Sequence, residues 1–317
     1  MRGAAAGRAS ERRPRGPEES PSGAVHSRLT GQSTKGRSLL RAAAVQLECS
    51  TDVDRNLHEA ERLVREAAAD RATLVVLPER LDVRGAPEQY WAKSEPLDGR
   101  IVAWARGLAA ELGIDLVAGS IAERRDGHER VANTSVHAGP DGELKAVYRK
   151  IHMFDVEVGG VEYRESEHSE PAEQIVISET ADGLGLGLTI CYDLRFPELY
   201  RILALRGARI ITVPANFTRI TGEAHWEVLL RARAIENQVF VVAPGQGRGN
   251  GPEADSYGNS MIVDPWGEVL ARGGGEGACF VAADLNLARQ EEIREQLPSL
   301  ANRVAAAYRW PEAVRVP

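Results

Sequence analysis

From Leu40 onward, short apolar runs alternate with amphipathic stretches along the chain. Short apolar runs bounded by turn residues indicate buried strands, whereas apolar residues spaced three and four apart indicate helices. The strands predicted in this way are 41–47, 74–78, 114–122, 133–138, 144–148, 184–190, 210–214, 240–243, 260–263 and 279–285. The predicted helices are 54–69, 99–112, 197–206, 223–237 and 287–296.

The order of these elements indicates the fold class. Strands alternate with helices, yet turns such as Gly139-Pro-Asp-Gly142 also predict antiparallel hairpins. We therefore expect an α/β protein with mixed sheets, helices on the outside and two sheets packed face to face. Residues 149–173 have mixed charge and no clear period, so they are predicted to form a long loop of functional importance.

Charge separates the first 38 residues from the rest. They hold eight Lys and Arg against three Glu, and few bulky apolar residues, so we predict a disordered tail over 1–38 and one domain over 39–317. The remainder carries a net −12 within an overall charge of −7, which argues against nucleic acid or an anionic membrane as a partner. No apolar run is long enough for a membrane span.

Cysteine and histidine usage narrows the chemistry further. Cys49, Cys191 and Cys279 are far apart and form no C-x-x-C pair, which favours reduced thiols and a cytoplasmic location over a disulfide framework. The seven histidines lack metal-ligand spacing, so no metal or other cofactor is predicted.

Cys191 is the strongest candidate for a nucleophile. An apolar strand ends at this cysteine, and a helix begins a few residues later with Pro197 at its first position. A turn from strand to helix holds a side chain at the sheet edge and directs backbone N–H groups towards it. From composition alone, a buried structural thiol is an equally good interpretation.

Two further residues have the chemistry that a reactive thiol needs. Glu79 follows the apolar run 74–77 and Pro78, where partial burial suits a general base, and Lys150 ends the strand that begins at Leu144. Taken singly, each is more simply a surface residue. His152 offers a competing Cys/His arrangement, which is ranked below the pair of Cys191 and Glu79.

Three segments of the sequence resemble the signature segments of the nitrilase, or carbon-nitrogen hydrolase, superfamily. They are Leu-Pro-Glu79, Tyr-Arg-Lys150-Ile-His and Ile-Cys191-Tyr-Asp-Leu-Arg-Phe-Pro-Glu. The resemblance extends from about Leu40 to Tyr308, and the stretches that begin at Ala224 and Ser256 look most like the Nit branch. It implies an αββα four-layer sandwich, a homodimer, no cofactor, and a Glu79, Lys150 and Cys191 catalytic triad.

The same resemblance extends to other residues and to a reaction. It places a second family glutamate on Glu165 and an oxyanion donor on the backbone N–H of Tyr192. The position of Phe217 after the strand 210–214 suggests a pocket residue, as do Asn216 and Thr218 beside it, and Arg195 or Arg219 could bind a substrate carboxylate. The implied substrate is a small linear carboxamide, deaminated glutathione or the ω-amide of a dicarboxylic acid, cleaved to acid and ammonia through a cysteine thioester.

Two alternatives remain open at this level. The same triad could act on an N-carbamoyl amino acid or a nitrile. The chain could also be a non-catalytic interaction protein that uses its basic arm or residues 311–317 to bind a partner, although a scaffold has no physical need for the three residues.

Overall fold

A computed structural model of the protein describes residues 38–249 and 255–309. Nearly all of the tail predicted over 1–38, and the segment 311–317, lie outside these residues. The strands are β1 (Leu39–Gln46), β2 (Leu74–Val76), β3 (Asp115–Val117), β4 (Ile121–Glu123), β5 (Ala132–Ala138), β6 (Leu144–Arg149), β7 (Asp155–Val158), β8 (Val161–Arg164), β9 (Ile177–Glu179), β10 (Gly185–Leu188), β11 (Ala208–Thr212), β12 (Phe240–Ala243), β13 (Met261–Val263), β14 (Val269–Arg272) and β15 (Cys279–Asn286). The helices are α1 (Val53–Ala69), α2 (Pro87–Lys93), α3 (Arg100–Leu112), α4 (Pro197–Leu205), α5 (Arg219–Asn237) and α6 (Leu287–Gln296).

Two mixed sheets form the centre of the fold. The first has the order β15-β1-β2-β3-β5-β4, with β6 paired to β5, and the second has the order β14-β13-β12-β11-β10-β9. Parallel pairs occupy the middle of each sheet, β1 with β2 and β2 with β3 in one, β10 with β11 and β11 with β12 in the other. Antiparallel strands complete both edges, so the prediction of two mixed sheets is confirmed.

Alternating side chains of β1 divide the core into two layers. Ala42 and Ala44 contribute to the apolar layer between the sheets, whereas Ala43 and Val45 contribute to the layer under α1 and α3. This division arises because successive side chains of a strand point to opposite faces of the sheet. A strand that is buried on both faces therefore has a continuous apolar run in its sequence. Helices α4 and α5 contact the second sheet, which gives the expected αββα order of layers.

Helix α1 illustrates how the sequence determines one of these outer layers. Asp52 caps the helix because its side chain accepts a hydrogen bond from the backbone N–H of Arg55. The buried face consists of Val53, Asn56, Leu57, Ala60, Leu63, Val64 and Ala67, which recur at helical spacing. Burial of one such leucine stabilises a fold by about 2 kcal/mol.

Two sequence predictions about strands were wrong in detail. The run 114–122 is not one strand, because Gly119 adopts a left-handed φ of +40° between β3 and β4. A Cβ atom there would collide with the Pro78 carbonyl oxygen, so only glycine allows this close approach to the segment before Glu79. The predicted loop 149–173 contains the hairpin of β7 and β8, joined by Gly159 and Gly160 at positive φ.

Within the described ranges, no helix is both long and apolar enough to cross a membrane.

Candidate active site

Glu79, Lys150 and Cys191 come from strand ends that meet on one side of the fold. Glu79 lies three residues after β2, Lys150 directly follows β6, and Cys191 lies three residues after β10. Although distant in sequence, all three line one cavity of about 490 Å³, and their exposed fractions are only 4%, 2% and 8%. The spatial convergence expected from the sequence is therefore present.

Cys191 lies on a sharp turn from strand to helix. Its φ of +47° is in the left-handed region, and it begins a 3₁₀ turn over Cys191–Arg195 that leads into α4. The backbone N–H of Cys191 donates to the Pro214 carbonyl at 2.9 Å, and the Asp193 carboxylate accepts from the Ile190 N–H at 2.8 Å. Such a conformation costs on the order of 1–3 kcal/mol in a non-glycine residue and persists only where its surroundings hold it.

Three donors hold the Glu79 carboxylate in place. Its Oε1 accepts from Lys150 Nζ at 3.0 Å and from Asn133 Nδ2 at 2.8 Å. Its Oε2 accepts from the backbone N–H of Asn216 at 2.7 Å. A buried carboxylate with this many donors has a fixed orientation towards the cavity.

The electrostatics of the cavity keep the cysteine protonated at rest. Burial raises the pKa of the Cys191 thiol well above its ordinary value, the neighbouring Glu79 charge raises it further, and Lys150 opposes this effect. Burial lowers the pKa of Lys150, but the charges of Glu165 and Glu79 outweigh burial, and the net pKa is raised. The resting site thus pairs a neutral thiol with a carboxylate and an ammonium, and reaction requires transfer of the thiol proton.

Glu165 completes a buried cluster of charges. Its carboxylate accepts from Lys150 Nζ at 2.8 Å, from the Phe154 backbone N–H at 2.9 Å and from Asn133 Nδ2 at 3.1 Å, and it lies 3.5 Å from Arg80. Burial raises the pKa of Glu165, but Lys150 and then Arg80 lower it more, and the net pKa falls below the ordinary value. Lys150 is therefore fixed between two carboxylates.

Glu165→Gln is expected to lower stability in a pH-dependent way. Because the pKa of Glu165 is lower in the folded state, ionised Glu165 stabilises the protein above its ordinary pKa of 4.5, and this contribution is lost as the pH falls below that value. Breaking a buried ion pair costs about 3 kcal/mol. Urea unfolding of Glu165→Gln should therefore show a loss of unfolding free energy of that order at pH 7, and a smaller loss at pH 4. Glu167→Gln, an exposed position in the same 3₁₀ turn, is the control. A pH-independent loss would contradict the assignment.

The remaining residues predicted from the sequence lie at different distances from the chemistry. Tyr192 and Phe217 line the cavity, whereas Arg195 is not part of the described wall. Its guanidinium lies over the Phe217 ring, 5.2 Å from the centroid, and 3.3 Å from the His225 ring. Arg219 lines the cavity but already pairs with Asp255 and Glu223.

His152 is placed away from the cysteine. Its Nδ1 lies 2.7 Å from the Asp193 carboxylate, and its ring stacks on Phe196 with 3.5 Å between centroids. Asp193 also accepts from the Tyr148 hydroxyl at 2.6 Å. His152 is thus part of the support of the turn at Cys191, and it does not line the cavity within the described chain.

Sequence reasoning missed several polar residues of the site. Asn133 is fully buried in β5 and donates to both Glu79 and Glu165, and Arg80 stacks on Tyr90 at 4.1 Å. The available signals were an asparagine at the start of a predicted strand and an arginine directly after the glutamate. In the part of the chain that the structure describes, no group of three or more His, Cys, Asp or Glu side chains could hold a metal ion.

The two mixed sheets flanked by helices match the fold of solved members of the nitrilase superfamily, a class of carbon–nitrogen hydrolases. Residues 41–295 match the Carbon-nitrogen hydrolase family, and the chain belongs to that family. The resemblance to the Nit branch of the nitrilase superfamily, and the prediction of an amidase-type enzyme, are confirmed.

Named relatives agree with this placement. The chain is 38% identical to the omega-amidase NIT2 of Homo sapiens, over 84% of this chain and 96% of the human protein. It is 41% identical to the deaminated glutathione amidase of Bos taurus, over 84% of this chain and 82% of the bovine protein. Among solved structures, Saccharomyces cerevisiae Nit3, a member of branch 10 of the nitrilase superfamily, superposes with a TM-score of 0.76 at 32% identity, covering 83% of this chain and 97% of Nit3.

Proposed function

We propose that the protein hydrolyses the terminal amide of a small carboxylic acid, an ω-amide of a dicarboxylic acid or deaminated glutathione, with Cys191 as the nucleophile. The observation that carries the proposal is the contact of Lys150 Nζ with Glu79 Oε1 at 3.0 Å in a buried cavity that Cys191 also lines. The named activities of the relatives from Homo sapiens and Bos taurus support this substrate class.

The first half-reaction forms a thioester. Glu79 accepts the Cys191 proton, and the thiolate attacks the amide carbon to form a tetrahedral intermediate. Lys150 and the backbone N–H of Tyr192 stabilise the negative oxygen, and one such donor typically contributes about 3 kcal/mol. The C–N bond then breaks, Glu79 returns its proton to the departing nitrogen, and ammonia leaves.

The second half-reaction uses the same carboxylate. Glu79 takes a proton from water, the resulting hydroxide attacks the thioester carbon, and the C–S bond breaks. The released thiolate recovers the proton from Glu79, which restores the resting thiol and frees the carboxylic acid. Glu165 contacts Lys150 and Asn133 rather than the sulfur, so its role here is to position Lys150.

Ammonia release from a panel of substrates tests the substrate class. The panel contains succinamate, an N-carbamoyl amino acid and an aliphatic nitrile. We expect kcat/KM for succinamate to exceed that for the other two by at least about tenfold, because the named relatives are amidases and a site that hydrogen-bonds its substrate discriminates against analogues with other groups. Carbamoyl or nitrile turnover above succinamate turnover would assign the protein to one of the alternative substrate classes.

The burial of these charges favours a catalytic role over a purely non-catalytic one. Burying two carboxylates and two cations carries a large desolvation cost, and apolar residues of similar volume often stabilise a fold equally well. Glu79, Lys150 and Arg80 are nevertheless among the most buried charged residues of the chain. A thiol-directed electrophile that leaves Cys191 unlabelled in the folded protein would favour the scaffold instead.

We also propose a homodimer in the cytoplasm. Val228 and Ile235 of α5 and the nearby Trp266 are exposed by 66%, 46% and 56%, which makes an apolar surface suited to a second copy. The three cysteines are free thiols, as expected in a reducing compartment. Light scattering coupled to size exclusion should give twice the mass of the chain, and a monomer would contradict the homodimer.

A further inference from the structure

Asn216 lines the same cavity as Cys191 and Glu79. Asn216 follows β11, and its backbone N–H donates to Glu79. Burial raises the pKa of the Cys191 thiol and the Asn216 N–H opposes that rise, so Asn216 adjoins the nucleophile. Asn216 lines the cavity together with the apolar Phe217 and Ile220 and with polar neighbours such as Thr218 and Ser256.

A chain of hydrogen bonds determines which end of the Asn216 carboxamide faces the cavity. Arg84 Nη2 donates to Ser256 Oγ at 2.9 Å, and Arg84 Nη1 donates to the Gly247 carbonyl at 3.0 Å. A guanidinium has only donors, so Ser256 Oγ accepts from Arg84 and has a single proton left to give. That proton goes to Asn216 Oδ1, with which Ser256 Oγ is in contact. The oxygen end of the carboxamide is therefore occupied.

The nitrogen end of the carboxamide remains available. Asn216 Nδ2 donates to no side chain or backbone group in residues 38–249 and 255–309. Arg84 and Ser256 are both only 4% exposed, so the chain that orients this nitrogen is itself buried and ordered. A cation at the start of a hydrogen-bond chain polarises each following donor, which strengthens the last donor towards an anion.

We infer that Asn216 is a specificity-determining residue whose Nδ2 donates to a carboxylate oxygen in the acyl part of the amide substrate. Ser256 and Arg84 act through Asn216 and are positioning residues. This inference rests on the proposed amidase function and adds to it the group that recognises the distal acid. An oriented donor discriminates strongly, because the analogue without an acceptor leaves the donor unpaired.

Two amides of matched shape test the inference. Succinamate has the distal carboxylate, and 4-methylpentanamide has an isopropyl group in its place. We expect Asn216→Ala to lower the ratio of kcat/KM for succinamate to that for 4-methylpentanamide by roughly tenfold to a hundredfold, the range of one hydrogen bond to a charged group. Asn216→Asp should lower the ratio further, because it places one carboxylate against another. An equal fall for both amides, or an unchanged ratio, would overturn the inference.

A second variant tests the hydrogen-bond chain. Ser256→Ala should lower the same ratio by a smaller factor, because Asn216 is then free to rotate. In the double variant the ratio should equal that of Asn216→Ala alone, since Ser256 acts only through Asn216. If the effects of the two single substitutions multiplied in the double variant, the positioning role of Ser256 would be overturned. Asn302→Ala serves as the control, because Asn302 is exposed and lies far along the chain. Its ratio should equal that of the unmodified protein.

Binding separates this inference from the proposed function. In the Cys191→Ala protein, calorimetry should show weaker binding of succinamate when Asn216→Ala is added, whether or not the native protein releases ammonia. If the native protein hydrolyses no amide but this binding difference persists, the amidase proposal fails and the Asn216 assignment stands. If succinamate is hydrolysed but its binding and kcat/KM ratio do not respond to Asn216→Ala, only the Asn216 assignment fails.

Discussion

Cys191→Ala is expected to abolish ammonia release, with kcat reduced by at least about 10⁴-fold, because Cys191 is the only cysteine among the described residues that line the cavity with Glu79. Alanine tolerates the φ of +47° no better and no worse than cysteine, so the turn and the fold should be retained. The measurement is ammonia release from succinamate, combined with mass spectrometry of the protein after incubation with substrate. The mass of a covalent acyl group should appear on the unmodified protein and be absent from the variant.

The other two cysteines provide matched controls. Cys279 is partly exposed and Cys49 is buried with a pKa raised to about 12 by burial, and neither lines the cavity. Cys279→Ala should therefore keep native turnover and still acquire the acyl group. An acyl adduct on Cys49 or Cys279, or turnover that survives Cys191→Ala, would contradict the assignment of the nucleophile.

The fold was predictable where the local pattern is strong. Helices α1 and α3 have apolar stripes at helical spacing, and β1 and β2 are short runs buried on both faces, so hydrophobic periodicity placed them within a residue or two. The hairpin of β7 and β8 has half-buried and exposed positions in short strands outside both sheets, and mixed polarity concealed it. The predicted start of helix α5 was four residues after its actual start at Arg219, because Thr221 and Gly222 in its first turn have low helix propensity.

Residues of the candidate site could be predicted only where they lie in recognisable sequence motifs. Glu79, Lys150 and Cys191 stand in recognisable segments, and Glu165 was placed by resemblance. Contacts that join distant parts of the chain have no local pattern, as with Asn133 54 residues from Glu79 and Ser256 40 residues from Asn216. Such contacts arise from the order of the strands within each sheet, and periodicity along one strand does not encode that order.

Glu79→Gln is expected to reduce turnover by about 10³-fold, the range typical of a lost general base. The side chains have the same shape, but the carboxylate accepts from Lys150, Asn133 and the Asn216 N–H through two oxygens. Glutamine has one oxygen and an NH₂ group, so at least one of these donors must then face another donor. Loss of the base and loss of this alignment act in the same direction.

Two further variants isolate the base from the shape of the side chain. Glu79→Asp keeps a carboxylate on a shorter side chain and should retain more turnover than Glu79→Gln, because proton transfer survives imperfect alignment. Glu111→Gln removes a carboxylate that is 58% exposed and paired with Arg65, and turnover should not change.

If Glu79→Gln kept native turnover, the proton acceptor would have to be another group, and His152→Ala would then be the next variant to assay. Cys191 is held as a buried neutral thiol, so its alkylation also requires loss of the thiol proton. The rate of its alkylation by iodoacetamide should therefore fall in the order native protein, Glu79→Asp, Glu79→Gln.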